Sequence, residues 1–123
     1  MSQIVYFTDD LLFSSQIMDA ARRCGWTLEV VSNSDVLNEY LRAEDPRLLI
    51  VDLSSRGLAI AELIAGARRL SPELPIVAYG PHVHLDRLAE AEHAGCTEVL
   101  SRGSFSRSPQ EVLQRYLPTP PPH

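Results

Sequence analysis

Five short apolar runs, each followed by a stretch in which apolar residues recur every three or four positions, set out the chain. The runs are Ile4-Val5-Tyr6-Phe7, Leu28-Glu29-Val30-Val31, Leu48-Leu49-Ile50-Val51-Asp52, Ile76-Val77-Ala78-Tyr79 and Glu98-Val99-Leu100-Ser101. Runs of this length, bounded by glycine, proline or polar clusters, predict strands, and the fully apolar ones predict strands buried on both faces in the middle of a parallel sheet. Between them, Phe13, Ile17, Ala20, Ala21 and Cys24 share one face of a first helix that Gly25 closes. Val36, Leu37, Tyr40 and Leu41 form the apolar face of a second, with Ser34 as its cap, and Ile60, Leu63, Ile64 and Ala67 mark a third. Residues 85 to 94, with Gly95 behind them, form a fourth. Ser108-Pro109-Gln110-Glu111 combines a serine cap, a proline at the first helical position and a glutamate at the third, which predicts a capping box opening a fifth helix that runs to about Tyr116.

Strict alternation of strand and helix with short turns predicts an α/β fold. It is a three-layer (αβα) sandwich around a five-stranded parallel sheet, joined by right-handed crossovers, with the flavodoxin-like order 2-1-3-4-5. Residues 1–117 make one domain, and Pro118-Thr119-Pro120-Pro121-Pro122-His123, suited neither to helix nor to interior strand, is expected to be a disordered tail. In this order the sheet reverses between the first and third strands. Thr8-Asp9-Asp10 and Asp52 therefore share the edge where such sheets place ligands.

Composition narrows the function classes. A net charge of −5 argues against a nucleic-acid or membrane surface as partner. No apolar stretch reaches membrane-spanning length, and a chain that runs straight from Met1 into a strand is expected in the cytoplasm. Cys24 and Cys96 lack CxxC spacing and are expected as small buried hydrophobes in a reducing compartment. All 11 basic residues are arginine, which excludes any mechanism needing a side-chain amine. With no GxGxxG, Walker loop or GxSxG elbow present, Ser101, Ser104, Ser106 and Ser108 are expected as loop and cap residues, and no enzymatic activity is expected.

Candidate chemistry gathers at the sheet edge. Carboxylates meeting at one spot repel unless a cation neutralises them, so Asp9, Asp10 and Asp52 form a candidate Mg2+ site. The alternative is that Asp9 or Asp10 caps the first helix and Asp52 the loop behind it. His82 and His84, two apart in the loop after the fourth strand, are a weaker metal candidate without an evident third ligand, and a small-ligand or metal-binding module using this edge is a further reading.

From Ile4 to Tyr116 the chain resembles a response-regulator receiver (CheY-like) domain. The likeness rests on the run ending in Thr8-Asp9-Asp10, the helix closed by Gly25, the strand ending in Asp52, Pro75-Ile76-Val77-Ala78, and Ala94-Gly95 before the fifth strand. It implies that Asp52 is the phosphoacceptor and that the acids after the first strand hold Mg2+ together with Asp52 and the Ser54 backbone. Counting back from Gly25 puts Asp9 on the usual metal-binding acid, Thr8 on its partner and Asp10 one position beyond.

Three switch positions depart from the pattern. Gly80 stands where the family carries a serine or threonine, Val99 where it carries an aromatic, and Arg102 where it carries a lysine, followed by Gly103 rather than proline. The resemblance thus implies an atypical or pseudo-receiver, a stand-alone signalling module acting by protein–protein contact with its phosphorylation switch lost or altered. A working phosphoacceptor, phosphorylated on Asp52 by a histidine kinase with Mg2+, is the alternative. Effector contact or a homodimer is expected through the fourth helix, fifth strand and fifth helix, where Arg107 and Arg115 can form ion pairs with a partner.

Overall fold

Leu48, Leu49, Ile50 and Val51 have no side that water reaches, so their strand lies in the centre of the sheet. The structure, a computed structural model, describes residues 3–117, and the proline-rich segment 118–123 lies outside the described residues. In order the elements are β1 (Ile4–Phe7), α1 (Leu11–Arg23), β2 (Leu28–Val31), α2 (Ser34–Ala43), β3 (Leu48–Asp52), α3 (Ile60–Leu70), β4 (Ile76–Gly80), α4 (Leu85–Ala94), β5 (Glu98–Ser101), α5 (Arg102–Arg107) and α6 (Pro109–Tyr116). All strand pairs are parallel and the order is β2-β1-β3-β4-β5, the predicted topology.

Successive strand residues point to opposite faces, which divides the core in two. Val5, Leu49, Val51, Ile76 and Ala78 meet α2, α3 and α4. Ile4, Tyr6, Leu48, Ile50, Val77 and Tyr79 meet α1, α5 and α6. Among the described residues no helix is long and apolar enough to cross a membrane.

The helix ends refine several expectations. The cap of α2 is Asn33, not Ser34: Asn33 Oδ1 accepts from Asp35 N–H at 2.7 Å and Val36 N–H at 3.3 Å. With that phase Leu37 and Leu41 turn inward, and Val36 is left about half exposed (48%) instead of joining the apolar face. Ser108 holds the cap position of α6 with Pro109 at its start, but its side chain makes no capping bond, so the capping box does not form. The cause lies just upstream, where α5 runs to Arg107 and leaves Ser108 at φ −142°, ψ 57° instead of in the extended backbone a cap needs. This six-residue helix is capped by Ser101, whose hydroxyl oxygen accepts from Ser104 N–H at 3.1 Å. Gly25 (φ 84°) and Gly95 (φ 106°) take the left-handed conformation that closes α1 and α4 as expected.

Both cysteines are free thiols and only partly buried, short of the full burial expected. Burial nevertheless pushes the Cys96 thiol up to about 11 against the opposing pull of Arg68. Tyr6 and Tyr79 are fully buried and their hydroxyls lie 2.5 Å apart. Burial holds both phenols well above the ordinary phenol range.

Two outcomes are expected. Asn33→Ala should cost about 1 kcal/mol in urea unfolding, as loss of a cap does, whereas Ser34→Ala and Ser108→Ala should stay within about 0.5 kcal/mol; equal costs at 33 and 34 would contradict the assignment. The buried phenols also set an alkaline limit. Their folded pKa values exceed the unfolded value of about 10, so folding keeps protons that unfolding releases, and the contribution is complete below that pH and lost as pH rises above it. The urea midpoint followed from about pH 9 to about 11.5 should therefore fall; a flat profile would contradict the account.

Candidate functional site

Asp52 is the last residue of β3, and alternation along the strand sends its side chain to the face that Leu48 and Ile50 occupy. It is only 4% exposed, so its carboxylate must find donors inside the protein. Two are in place. Thr8 Oγ1 donates to Asp52 Oδ2 at 2.7 Å, and Ser54 N–H donates to Oδ1 at 2.9 Å. The backbone then turns back, with Ser55 N–H donating to the Asp52 carbonyl at 3.2 Å. Ser54 thus meets Asp52 through its N–H.

Thr8 sits directly after β1 and is 1% exposed. Its oxygen also accepts from Asp10 N–H at 3.0 Å, and Tyr79, the residue in register with Asp52 on β4, lies buried on the same face of the sheet. Removing one partner from such a buried set typically costs about 1–3 kcal/mol.

The three acids do not converge. Asp10 is the N-cap of α1, where its Oδ1 accepts from Leu12 N–H at 3.1 Å and Phe13 N–H at 3.0 Å. Its Oδ2 pairs with Arg102 at 3.1 Å. Asp9 is exposed and its Oδ2 accepts from Arg56 N–H at 3.1 Å. The capping alternative therefore describes Asp10 and, through Ser54, Asp52. Among the described residues no three His, Cys, Asp or Glu side chains come together as a metal-holding group.

A divalent cation needs several oxygens free to turn toward it. Here Thr8 supplies a donated proton where a ligand oxygen is needed, and Asp10 is spent on the helix end and on Arg102. As arranged, Asp10 is committed elsewhere, and Asp9 and Asp52 are the acids left for Mg2+.

Gly80, Val99 and Arg102, expected as altered switch positions, lie in unlike surroundings. A Cβ built on Gly80 would lie 3.3 Å from Leu53 Cβ and 3.7 Å from Leu88 Cδ2, so the space beside the fourth strand's end is filled by leucine. Val99 is partly buried and packs into the core cluster that α2, α3 and α4 cover, paired with Ala78 across the strands. Arg102 stacks 4.7 Å above the Phe13 ring while holding Asp10, a placement on the α1 side. The pair is half exposed, worth at most about 1 kcal/mol.

His82 and His84 are exposed, and His84 occupies the cap position of α4 without a side-chain capping bond. His82 lines an open groove of about 490 Å³ together with Phe13, Gln16, Pro81, Arg102 and Ser106. No third metal ligand joins the histidines among the described residues. One residue of the site that sequence reasoning took only as core is Tyr79; its signal was its position one before Gly80, on the strand beside Asp52.

No protein-family model matches the sequence, and no curated protein matches it. Solved structures do. NtrX from Brucella abortus superposes with a TM-score of 0.83 at 18% identity over 95% of this chain, which spans 27% of that one. A CheY-like response regulator receiver domain protein from Methanospirillum hungatei JF-1 gives 0.81 at 16% identity, covering 96% of this chain and 94% of the other. A response regulator protein from Burkholderia pseudomallei, whose structure holds a phosphorylated aspartic acid, a calcium ion and citrate, gives 0.78 at 19% identity, with 94% of this chain and 66% of that one covered. With Asp52 at the carboxyl end of the central strand and a β2-β1-β3-β4-β5 sheet around it, this chain has the fold of the CheY-like response-regulator receiver domains.

Proposed function

We propose that the chain is a receiver-like signalling module of the cytoplasm that works by protein–protein contact and whose phosphorylation switch is altered. The observation that carries this is the neutral satisfaction of Asp52: its two oxygens are held by the Thr8 hydroxyl and the Ser54 N–H. A phosphoryl group added there changes function only if it is bonded better in one conformation than in another. The donors such a response would use are absent at position 80, where Leu53 fills the space, and Arg102 is engaged with Asp10 and Phe13. Asp52 is then a buried carboxylate that fixes the β3–α3 turn, and the surface around the edge is what a protein partner meets. That partner is a histidine kinase, a downstream effector or a second copy meeting the face formed by α4, β5 and α6.

The second reading is a working phosphoacceptor, favoured by the Burkholderia structure, which carries a phosphorylated aspartate on the same fold. It requires Arg102 to leave Asp10, and Asp9 and Asp52 to gather Mg2+. The two readings differ in an amide NMR titration with Mg2+ and then with beryllofluoride, which mimics a phosphoryl group on a carboxylate. The altered-switch reading expects little response to Mg2+ at about millimolar concentration, and no spread of beryllofluoride shifts to Val99 and α4. Broad shifts reaching Val99 and α4 would sink it in favour of the second reading.

A further inference from the structure

The peptide unit between Leu53 and Ser54 is gripped at both ends. Its N–H, on Ser54, donates to Asp52 Oδ1 at 2.9 Å, and its carbonyl, on Leu53, accepts from Arg87 Nη1 of α4 at 2.7 Å. A trans peptide unit is planar, with its N–H and C=O pointing to opposite sides. One rotation therefore moves both bonds together.

This unit is the middle of a turn. The Ser55 N–H bond to the Asp52 carbonyl closes the four residues 52 to 55, and the Leu53 N–H is held by the Tyr79 carbonyl at 2.9 Å. Turns of types I and II differ by turning over the central peptide while the ends stay in place. Turned over, the unit would present the Leu53 carbonyl to the Asp52 carboxylate and the Ser54 N–H to the Arg87 guanidinium, acceptor against acceptor and donor against donor. Asp52 and Arg87 thus select the same orientation. Among the described residues the Arg87 guanidinium forms no ion pair, so its charge is directed at this carbonyl, and a charged donor makes the stronger kind of hydrogen bond.

The helix is a firm base for that contact. Leu88 and Ala94 pack against the core cluster, Ala91 is fully buried in it, and the Gly95 carbonyl behind α4 accepts from Arg68 Nη2 at 3.0 Å. The peptide is the part that can swing. We propose that Arg87 is a positioning residue for Asp52: it holds the 53–54 peptide with the Ser54 N–H facing the carboxylate, so that α4 sets how the candidate phosphoacceptor is held. The proposal deepens the receiver-like reading by naming a residue that governs this site, and it rests on that reading for the use of Asp52 in signalling. Nothing in it passes through positions 80 and 99.

Arg87→Met tests it by removing the donors and keeping the stem, at an exposed residue where the change opens no buried cavity. In amide NMR the Ser54 proton should move upfield and exchange faster with solvent, with shifts at residues 52–55 and with 91–94 of α4 quiet. The second measurement is a double-mutant cycle read by urea unfolding. Since both groups select one peptide orientation, the loss in folding constant on Arg87→Met should be at least about threefold larger with Asp52 intact than in an Asp52→Ala background. Against the distant Asn33→Ala the loss should be the same in both backgrounds. If Asp52→Ala does not fold, the Ser54 amide in Arg87→Met decides alone. A Ser54 amide that Arg87→Met leaves unchanged, equal losses with and without Asp52, or shifts centred on 91–94 with 52–55 silent would overturn the proposal. Mg2+ and beryllofluoride enter neither measurement, so a failure of the receiver reading in that titration and a failure of this contact are distinguishable.

Discussion

A charged carboxylate removed from water at the end of a central strand has to be satisfied by groups the fold itself carries to it. Asp52 meets that demand with one donor from β1's end and one from its own turn, and much of the local architecture follows. Thr8 must be buried and correctly turned, which the Asp10 N–H bond helps secure. Tyr79 must lie beside Asp52, which parallel register between β3 and β4 provides. The loop after β3 is held from the other side by Arg87 of α4, whose guanidinium donates to the Leu53 carbonyl at 2.7 Å. The carboxylate thus ties the end of β1 to the turn after β3.

That edge divides its labour by face. On the side of α2, α3 and α4 the packing is aliphatic and close, with Leu53 and Leu88 over Gly80. On the side of α1, α5 and α6 it holds aromatic rings with a hydrogen-bonded interior. Buried polar groups of this kind specify one arrangement when every member is satisfied. The asymmetry is a property of the side chains and not of the strand order, which is shared with receivers at less than a fifth sequence identity.

Much of this was readable from the chain alone because hydrophobic period is a strong signal where strands are short, apolar and punctuated. β3 and the five-strand order came from such runs. What failed was local and has physical reasons. Asn33 and Ser34 are both competent caps, and only the phase of the helix decides between them. A six-residue helix containing Gly103 has too few turns to show a period, so the pattern reads α5 as loop and places a working cap at Ser108 with it. Two aspartates in succession offer a metal site or a cap on equal terms; the cap took Asp10 once Arg102 was brought beside it from 92 residues away. Tyr6 and Tyr79 counted as core by pattern, and correctly, yet a pattern does not see that two phenols distant in sequence will share a proton position.

The packing of Leu53 against Gly80 also sets what position 80 can accept. Any side chain introduced at 80 presses first on Leu53 Cβ. Every residue but glycine keeps that Cβ, so shortening Leu53, which is fully buried, would open a cavity without relieving the contact. A side chain at position 80 is therefore admitted only if the two strand ends part by a few tenths of an ångström, a movement of backbone and not of a neighbour's side chain.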